Sequence, residues 1–281
     1  MRLTGSPEPG PLSALTARTT GRPEVVVAVV DGAADPGDPA LAPLQSVRFA
    51  GPPLPARDAG TAPGHGTRVL AALAARPGAP APGLCPGCSF VVRPVPGVDI
   101  PPAAPAVLAD ALTDVIGAGA RVINLSLTLE RLPETAPTHD PGVTALLDAV
   151  ELARRHGVLV VAAAGNDGDL GGPALVRHPW VIPVVACDPD GSPLPTSTLG
   201  RAIGRHGLTA PALPRGLSGT SAAAPVVTGA VALLWSLFPH ACAPAVRDAV
   251  TTPRPPARRP SVVPPHLDAA HAYEVLRTAS V

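Results

Sequence analysis

Short, continuous apolar segments rich in Val alternate along this chain with segments of helical periodicity. Between these segments, apolar side chains recur at helical spacing around Leu108 and Leu146. Strands that are apolar on both faces must be covered on both faces, which is typical of a parallel sheet. The sequence therefore predicts an α/β fold, a three-layer α/β/α sandwich with a mostly parallel central sheet. The predicted strands are Val25–Val30, Phe90–Val95, Arg121–Ser126, Val158–Ala163 and Val181–Cys187.

The composition excludes several classes of protein. Acidic and basic residues balance at 21 each, which argues against nucleic acid or an anionic membrane as the main partner. Hydrophobic residues make up 46% of the chain, enough to bury a core without disulfides. We find no targeting segment, and the run Val25–Val30 is too short to span a membrane. We therefore expect a cytoplasmic protein, in which Cys85 and Cys88 are ordinary thiols or a local disulfide.

The chain is predicted to form one principal domain. Residues 1–23 are polar and contain Pro, which predicts a flexible N-terminal arm. Residues 24–250 carry the alternating strands and helices of the domain, including helices from Thr67 to Ala75 and from Ser221 to about Leu237. Residues 251–281 are predicted to be a Pro/Arg-rich segment and a C-terminal helix that packs on the same domain. The sequence does not predict an oligomeric state.

Four polar residues follow strands or begin helices, where open α/β sheets place their chemistry. Asp31 closes the first strand, and His65 lies between glycines in G-H-G-T, just before a helix. Ser221 opens an apolar helix whose dipole favours a developing negative charge, and Pro225 is expected in its first turn. Asn166 follows the fourth predicted strand and can donate a hydrogen bond to an oxyanion.

Each of these residues also has an ordinary structural interpretation. Asp31 could be a metal ligand, a phosphate contact or a loop cap, and His65 could cap its helix. Ser221 could be a helix N-cap, and Asn166 a turn residue. Together, the order Asp, His, Ser along the chain is one of the three unrelated solutions to a serine-protease triad. The combination indicates nucleophilic catalysis.

At this point the sequence resembles the subtilases, the subtilisin-like serine peptidases. The matching blocks lie between residues 25 and 237: V-A-V-V-D-G, G-H-G-T, V-I-N-L-S, V-V-A-A-A-G-N-D-G and G-T-S-A-A-A-P-V-V-T-G-A-V-A-L-L. The resemblance implies a serine endopeptidase with the triad Asp31, His65 and Ser221 and with Asn166 in the oxyanion hole. It further implies a peptide or protein substrate, no cofactor and no metal. The substrate contacts that it implies are Ser126, Leu127, Thr128, Ala164 and Gly165.

A narrower resemblance rests on G-L-C-P-G-C-S-F-V-V-R-P-V, V-L-V-V-A-A-A-G-N-D-G and S-A-A-A-P-V-V-T-G. These segments are similar to subtilases that process ribosomally made peptides, such as those of cyanobactin pathways, which implies a maturation protease. The chain departs from the family where Thr128 and Leu129 replace a Gly-Gly pair, so we expect narrowed subsites. Asp167 either favours a basic substrate residue or faces water, and the loop Arg76–Gly83 lacks the oxygen ligands of a calcium site.

Two alternatives come from other classes of protein. In a catalytically silent pseudoprotease, a cleft blocked by Leu129 would bind peptides without forming an acyl-enzyme. A lipase-type hydrolase is disfavoured because Ser221 lies in G-T-S-A-A and not in G-x-S-x-G.

Overall fold

The computed structural model describes residues 10–41, 47–52, 64–96, 103–127, 140–213, 215–252 and 261–279. These residues form a seven-stranded sheet in the order β2-β3-β1-β4-β5-β6-β7, and every neighbouring pair is parallel. The fold class predicted from the sequence is confirmed. The strands are β1 (Val26–Asp31), β2 (Val47–Phe49), β3 (Ser89–Pro94), β4 (Val122–Leu125), β5 (Leu159–Ala163), β6 (Val181–Cys187) and β7 (Leu208–Pro211).

Helices cover both faces of the sheet because alternate side chains of each strand point to opposite faces. On one face Val27 and Val29 join a core with Leu70 and Trp235, under α2, α7, α8 and α9. On the other face Val30 joins a separate core under α3 and α4. The helices are α1 (Ser13–Thr16), α2 (His65–Ala74), α3 (Pro105–Gly117), α4 (Pro141–Arg155), α5 (Ala174–Arg177), α6 (Arg201–His206), α7 (Gly219–Leu237), α8 (Ala243–Thr251) and α9 (Ala269–Ala279).

The end of β1 lies at the switch point of the sheet, where the direction in which successive strands are added reverses. The chain adds β3 and β2 on one side of β1, then crosses over to add β4 to β7 on the other side. In open α/β sheets the loops at such a switch point diverge and leave a crevice at the carboxyl ends of the strands. Asp31, the last residue of β1, lies at this crevice.

The two edge strands, β2 and β7, were not predicted from the sequence. β2 has three residues and is largely exposed, and β7 is a four-residue segment that contains Thr and Pro. Neither shows the long apolar run by which the central strands were recognised. The chain after α8 covers the β7 edge: the N–H of Thr209 donates to Pro265 O at 2.7 Å, and the N–H of Leu267 donates to Thr209 O at 2.9 Å.

The predicted flexible arm does not hold for residues 10–23. Leu12 and Leu15 are buried in the core beneath α7. The Arg18 guanidinium lies 4.5 Å from the centre of the Tyr273 ring in α9, a cation–π contact. Two leucines three residues apart are too weak a signal in a Pro-containing segment to predict burial, yet they anchor it. Residues 1–9 lie outside the described part of the chain.

The four cysteines are thiols in this structure. Cys85, Cys88 and Cys187 are buried, and Cys242 is exposed. The Cys85 thiol donates a hydrogen bond to Cys88 and is completely buried, and both effects raise its pKa well above the usual value. Of the two alternatives for the C-P-G-C segment, the structure therefore has the thiol form.

α7 is the central helix of one layer. Within the described residues it alone is long and apolar enough to cross a bilayer, but 89% of its most apolar 18-residue stretch is buried inside the protein. This burial is the ordinary environment of a core helix.

Candidate active site

Asp31 and His65 form the first pair of the site. Asp31 is fully buried, and its Oδ1 accepts the backbone N–H of Gly32 at 2.7 Å. The same oxygen lies 2.7 Å from Nδ1 of His65. A buried carboxylate is costly unless it is hydrogen-bonded, and these contacts supply that compensation. The pair holds the imidazole by Nδ1, so Nε2 is the ring nitrogen that can exchange a proton with a substrate or nucleophile.

The first turn of α2 sets His65 over Asp31. A Cβ on Gly66 would lie 2.3 Å from the carbonyl oxygen of Gly32, so only glycine lets the helix approach this closely. Thr67 adds a second tie, because its Oγ1 accepts the N–H of Asp35 at 2.9 Å. Gly66 therefore serves the packing of α2 on the loop after β1.

Ser221 is the third residue of α7, since the helix begins at Gly219 and Ser218 is its N-cap. The N-cap interpretation of Ser221 is therefore excluded. The first four N–H groups of a helix lack intrahelical partners, and the N–H of Ser221 is one of them. The Ser221 residue is 9% exposed, so this donor and the hydroxyl sit at a nearly dry helix terminus.

Pro225 lies in the second turn of α7 and not in the first, as the sequence had predicted. The difference arises because the helix starts two residues earlier than expected. A proline has no N–H, so the carbonyl of Ser221, four residues before it, receives no intrahelical hydrogen bond. The start of α7 must therefore be held by contacts to the rest of the fold.

A buried polar network connects the middle of α7 to the sheet. Thr228 Oγ1 donates to Asn124 Oδ1, and Asn124 Nδ2 donates to Ser126 Oγ, each at 2.9 Å. All three side chains are buried. These hydrogen bonds join α7 to the end of β4. Ser126, predicted to contact substrate, therefore directs its hydroxyl into this internal network.

Thr220 orients the amide of Asn166. The backbone N–H of Thr220 donates to Asn166 Oδ1 at 2.9 Å, and its hydroxyl donates to the same oxygen at 3.1 Å. Because a backbone N–H can only donate, the oxygen end of the amide faces Thr220 and Nδ2 faces away from it. Thr220 Oγ1 also accepts the N–H of Gly165 at 3.4 Å. This role of Thr220 was not predicted from the sequence, although Thr220 directly precedes the predicted nucleophile in G-T-S.

An apolar cavity lies beside Asn166. It has room for one or two water molecules, about 20 Å³. Three of the five predicted substrate contacts line this cavity, whereas Thr128 lies outside the described residues. The lining includes Leu125, Leu127, Ala164, Gly165, Leu175 and Val176.

The structure thus contains two hydrogen-bonded pairs at the same end of the sheet, where the strands have their carboxyl ends. Asp31 and His65 lie at the end of β1, and Asn166 and Thr220 join the end of β5 to the start of α7, with Ser221 next to Thr220. α2 packs against both β1 and α7. Among the described residues, no hydrogen bond joins the Ser221 hydroxyl to His65; such contacts often form only when substrate binds. The described residues contain no cluster of three or more metal-ligating side chains.

A parallel α/β fold with an Asp–His pair and a serine at a helix N-terminus is typical of triad serine hydrolases. Residues 22–261 match the model of the Subtilase family. The chain therefore belongs to the Subtilase family, the subtilisin-type serine proteases, and the resemblance inferred from the sequence is confirmed.

Comparison with individual proteins supports the same assignment. The chain is 34% identical to Subtilisin DY of Bacillus licheniformis over 125 residues, which are 40% of this chain and 44% of that protein. It thus spans less than half of this relative. Over 94% of this chain and 98% of the other, the structure resembles the prenylagaramide maturation protease PagA, with a TM-score of 0.79 and 27% identity. It also resembles the patellamide maturation protease PatA over 92% of this chain and 98% of the other, with a TM-score of 0.73 and 28% identity.

Proposed function

We propose that this chain is a serine endopeptidase that hydrolyses peptide bonds through an acyl-enzyme on Ser221. The observation that carries the proposal is the 2.7 Å contact between His65 Nδ1 and the buried Asp31 carboxylate, at the same end of the sheet as a helix-terminal serine. Such a contact fixes the tautomer and orientation that an imidazole needs to act as a general base. Membership of the Subtilase family supports the same reaction.

In the proposed mechanism, Ser221 Oγ attacks the scissile carbonyl carbon while its proton passes to His65 Nε2. The imidazolium is stabilised by Asp31, and the oxyanion accepts hydrogen bonds from Asn166 Nδ2 and the Ser221 N–H. Collapse of the tetrahedral intermediate breaks the C–N bond, and His65 returns the proton to the leaving amine. Water then attacks the acyl-enzyme by the same steps, which releases the acid and restores the serine.

The proposal predicts covalent labelling. A fluorophosphonate probe should add one label per folded molecule, at Ser221, because only an activated serine attacks phosphorus at neutral pH. His65→Ala and Ser221→Ala should both abolish labelling. Intact-mass and peptide-mapping spectrometry measure the result. A folded protein that binds peptides but takes up no label would contradict the proposal and favour the pseudoprotease alternative.

We further propose that the protease matures a precursor peptide at a defined position. The supporting observations are the similarity to PagA and PatA, both described as maturation proteases, and the small cavity beside Asn166. Cleavage of a randomised peptide library should then yield one dominant sequence around the cut, and denatured casein should be a poor substrate. Progressive degradation of casein to short peptides would contradict this role.

Gly219→Ala should lower kcat by about 10²-fold, the lower end of the loss known for one oxyanion donor in subtilisin, a family member. The added Cβ would lie 2.2 Å from Asn166 Oδ1 and would push the amide out of place. Because the oxyanion exists only in the transition state, KM should change little. Steady-state kinetics on a fluorogenic peptide test this split.

Gly119→Ala is the matched control for Gly219→Ala. Both glycines have positive φ, +57° at Gly219 and +85° at Gly119, but nothing lies within 4 Å of a Cβ at Gly119. The backbone strain is thus similar, and the contact with Asn166 is absent. An equal loss of kcat in both variants would show that strain alone, and not displacement of the amide, accounts for the effect.

A further inference from the structure

The cavity beside Asn166 is bounded on one side by a short helix. α5 places Leu175 and Val176, which are 2% and 1% exposed, into the lining together with Leu125 and Ala164 from the sheet. All four side chains belong to one hydrophobic core. Close-packed interiors resist local displacement, so this wall cannot move aside without opening the core. The cavity therefore has a rigid boundary.

The buried wall is also without charge. Of the described residues that line the cavity, only Asp167 is charged, and the other side chains belong to Leu, Ala, Gly, Pro and Val. Asp167 is exposed and already takes part in an interaction. A charged substrate side chain placed against the Leu, Ala and Val side chains of this wall would lose its hydration without gaining a partner there. A basic substrate residue would find its partner only in Asp167, on the exposed side of the cavity and outside the buried wall.

Val176 packs closely against Gly172. A Cβ added to Gly172 would lie 2.8 Å from Val176 Cγ2 and 3.2 Å from Thr198 Cγ2, so Val176 has little room to move toward Gly172. The cavity itself has room for one or two waters, about 20 Å³. Between the described side chains, this space suits one or two methyl groups better than an aromatic ring.

Gly165, which lines the cavity, directly precedes the oxyanion donor Asn166, so the residue whose carbonyl is attacked lies beside this opening. We propose that the cavity selects Ala or Val at that residue and that Leu175 and Val176 set the upper limit of size. This inference rests on the proposed function, because it names the substrate class of the same site. A side chain that fits contributes binding in the transition state, whereas Phe or Arg would displace the acyl group from Ser221.

The test uses the full chain and fluorogenic peptides that are identical except at the residue bearing the scissile carbonyl: Ala, Val, Leu, Phe or Arg. For the wild type, kcat/KM with Ala and Val should exceed kcat/KM with Phe and Arg by about tenfold or more. Leu175→Ala should raise the ratio of kcat/KM for Phe over Ala by about tenfold, because it removes three carbons from the wall.

Leu146→Ala is the matched control. Leu146 lies in α4, is 1% exposed and belongs to the same core as Leu175, but it does not line the cavity. Its substitution should leave the ranking of the five peptides unchanged. If Leu175→Ala does not fold, Val176→Ala tests the same wall with a smaller deletion and should move the ranking in the same direction.

Fluorophosphonate titration of every variant separates the two proposals. A protein that labels at Ser221 but prefers Phe would overturn the size limit and leave the proposed function standing. A labelled protein that prefers Arg, with the preference lost in Asp167→Asn, would instead assign selection to Asp167. Folded protein that neither labels nor cleaves any peptide would overturn the proposed function itself.

Discussion

Ser221→Ala and His65→Ala are each expected to lower kcat for peptide hydrolysis by about 10⁶-fold, the scale of such losses in subtilisin, a family member. The hydroxyl is a weak nucleophile until the imidazole removes its proton, and the imidazole has nothing to deprotonate without the hydroxyl. The two side chains therefore act as one unit. The residual rate should still exceed that in water, because the Asn166 amide and the helix terminus remain.

The double variant tests whether the two side chains act as one unit. Because the unit is already lost in each single variant, Ser221→Ala with His65→Ala should be no slower than either alone. Single-turnover assays at high enzyme concentration measure the small rates, and circular dichroism verifies folding. A further large loss in the double variant would mean that the residues act independently, contrary to the mechanism.

Ser218→Ala is the control for the serine substitution. Ser218 is exposed, is the N-cap of the same helix and makes no side-chain capping hydrogen bond, so its hydroxyl contributes little. Its kcat should stay close to that of the wild type.

Asp31→Asn is expected to lower kcat by about 10⁴-fold, the loss seen for the equivalent change in a triad protease. Asp31 Oδ1 now accepts from His65 Nδ1 at 2.7 Å and from the Gly32 N–H. The neutral amide lacks the negative charge that stabilises the imidazolium formed when His65 takes the proton of Ser221.

Asp31→Asn should affect the stability of the protein far less than it affects kcat. The substitution removes a fully buried charge and keeps the shape, so the free energy of unfolding should not fall in proportion to kcat. Urea denaturation and kcat on the same preparation test this. Asp35→Asn, an exposed residue of the same loop whose carboxylate accepts the N–H of Gly37 at 2.8 Å, is the control. A loss of kcat that merely follows unfolding would contradict the catalytic role.

The sequence predicted the central strands to within one residue at most ends, because strand and helix periodicity are local properties of neighbouring residues. It failed where local signals were short. β2 and β7 carry too few apolar residues, and the buried Leu12 and Leu15 stand in a Pro-containing segment. The start of α7 was predicted two residues late because contacts between Thr220 and Asn166, 54 residues apart, hold its first turn.

By itself the sequence determined the α/β class, the family and the identities of the candidate triad, since each depends on residue types and their order. The tertiary structure decided which atoms meet: the carboxylate oxygen that holds His65, the orientation that Thr220 imposes on Asn166, and the internal direction of Ser126. It also decided the size of the cavity, through the packing of α5 on the sheet. These depend on distances between segments far apart in the chain, which only the packing of the whole core specifies.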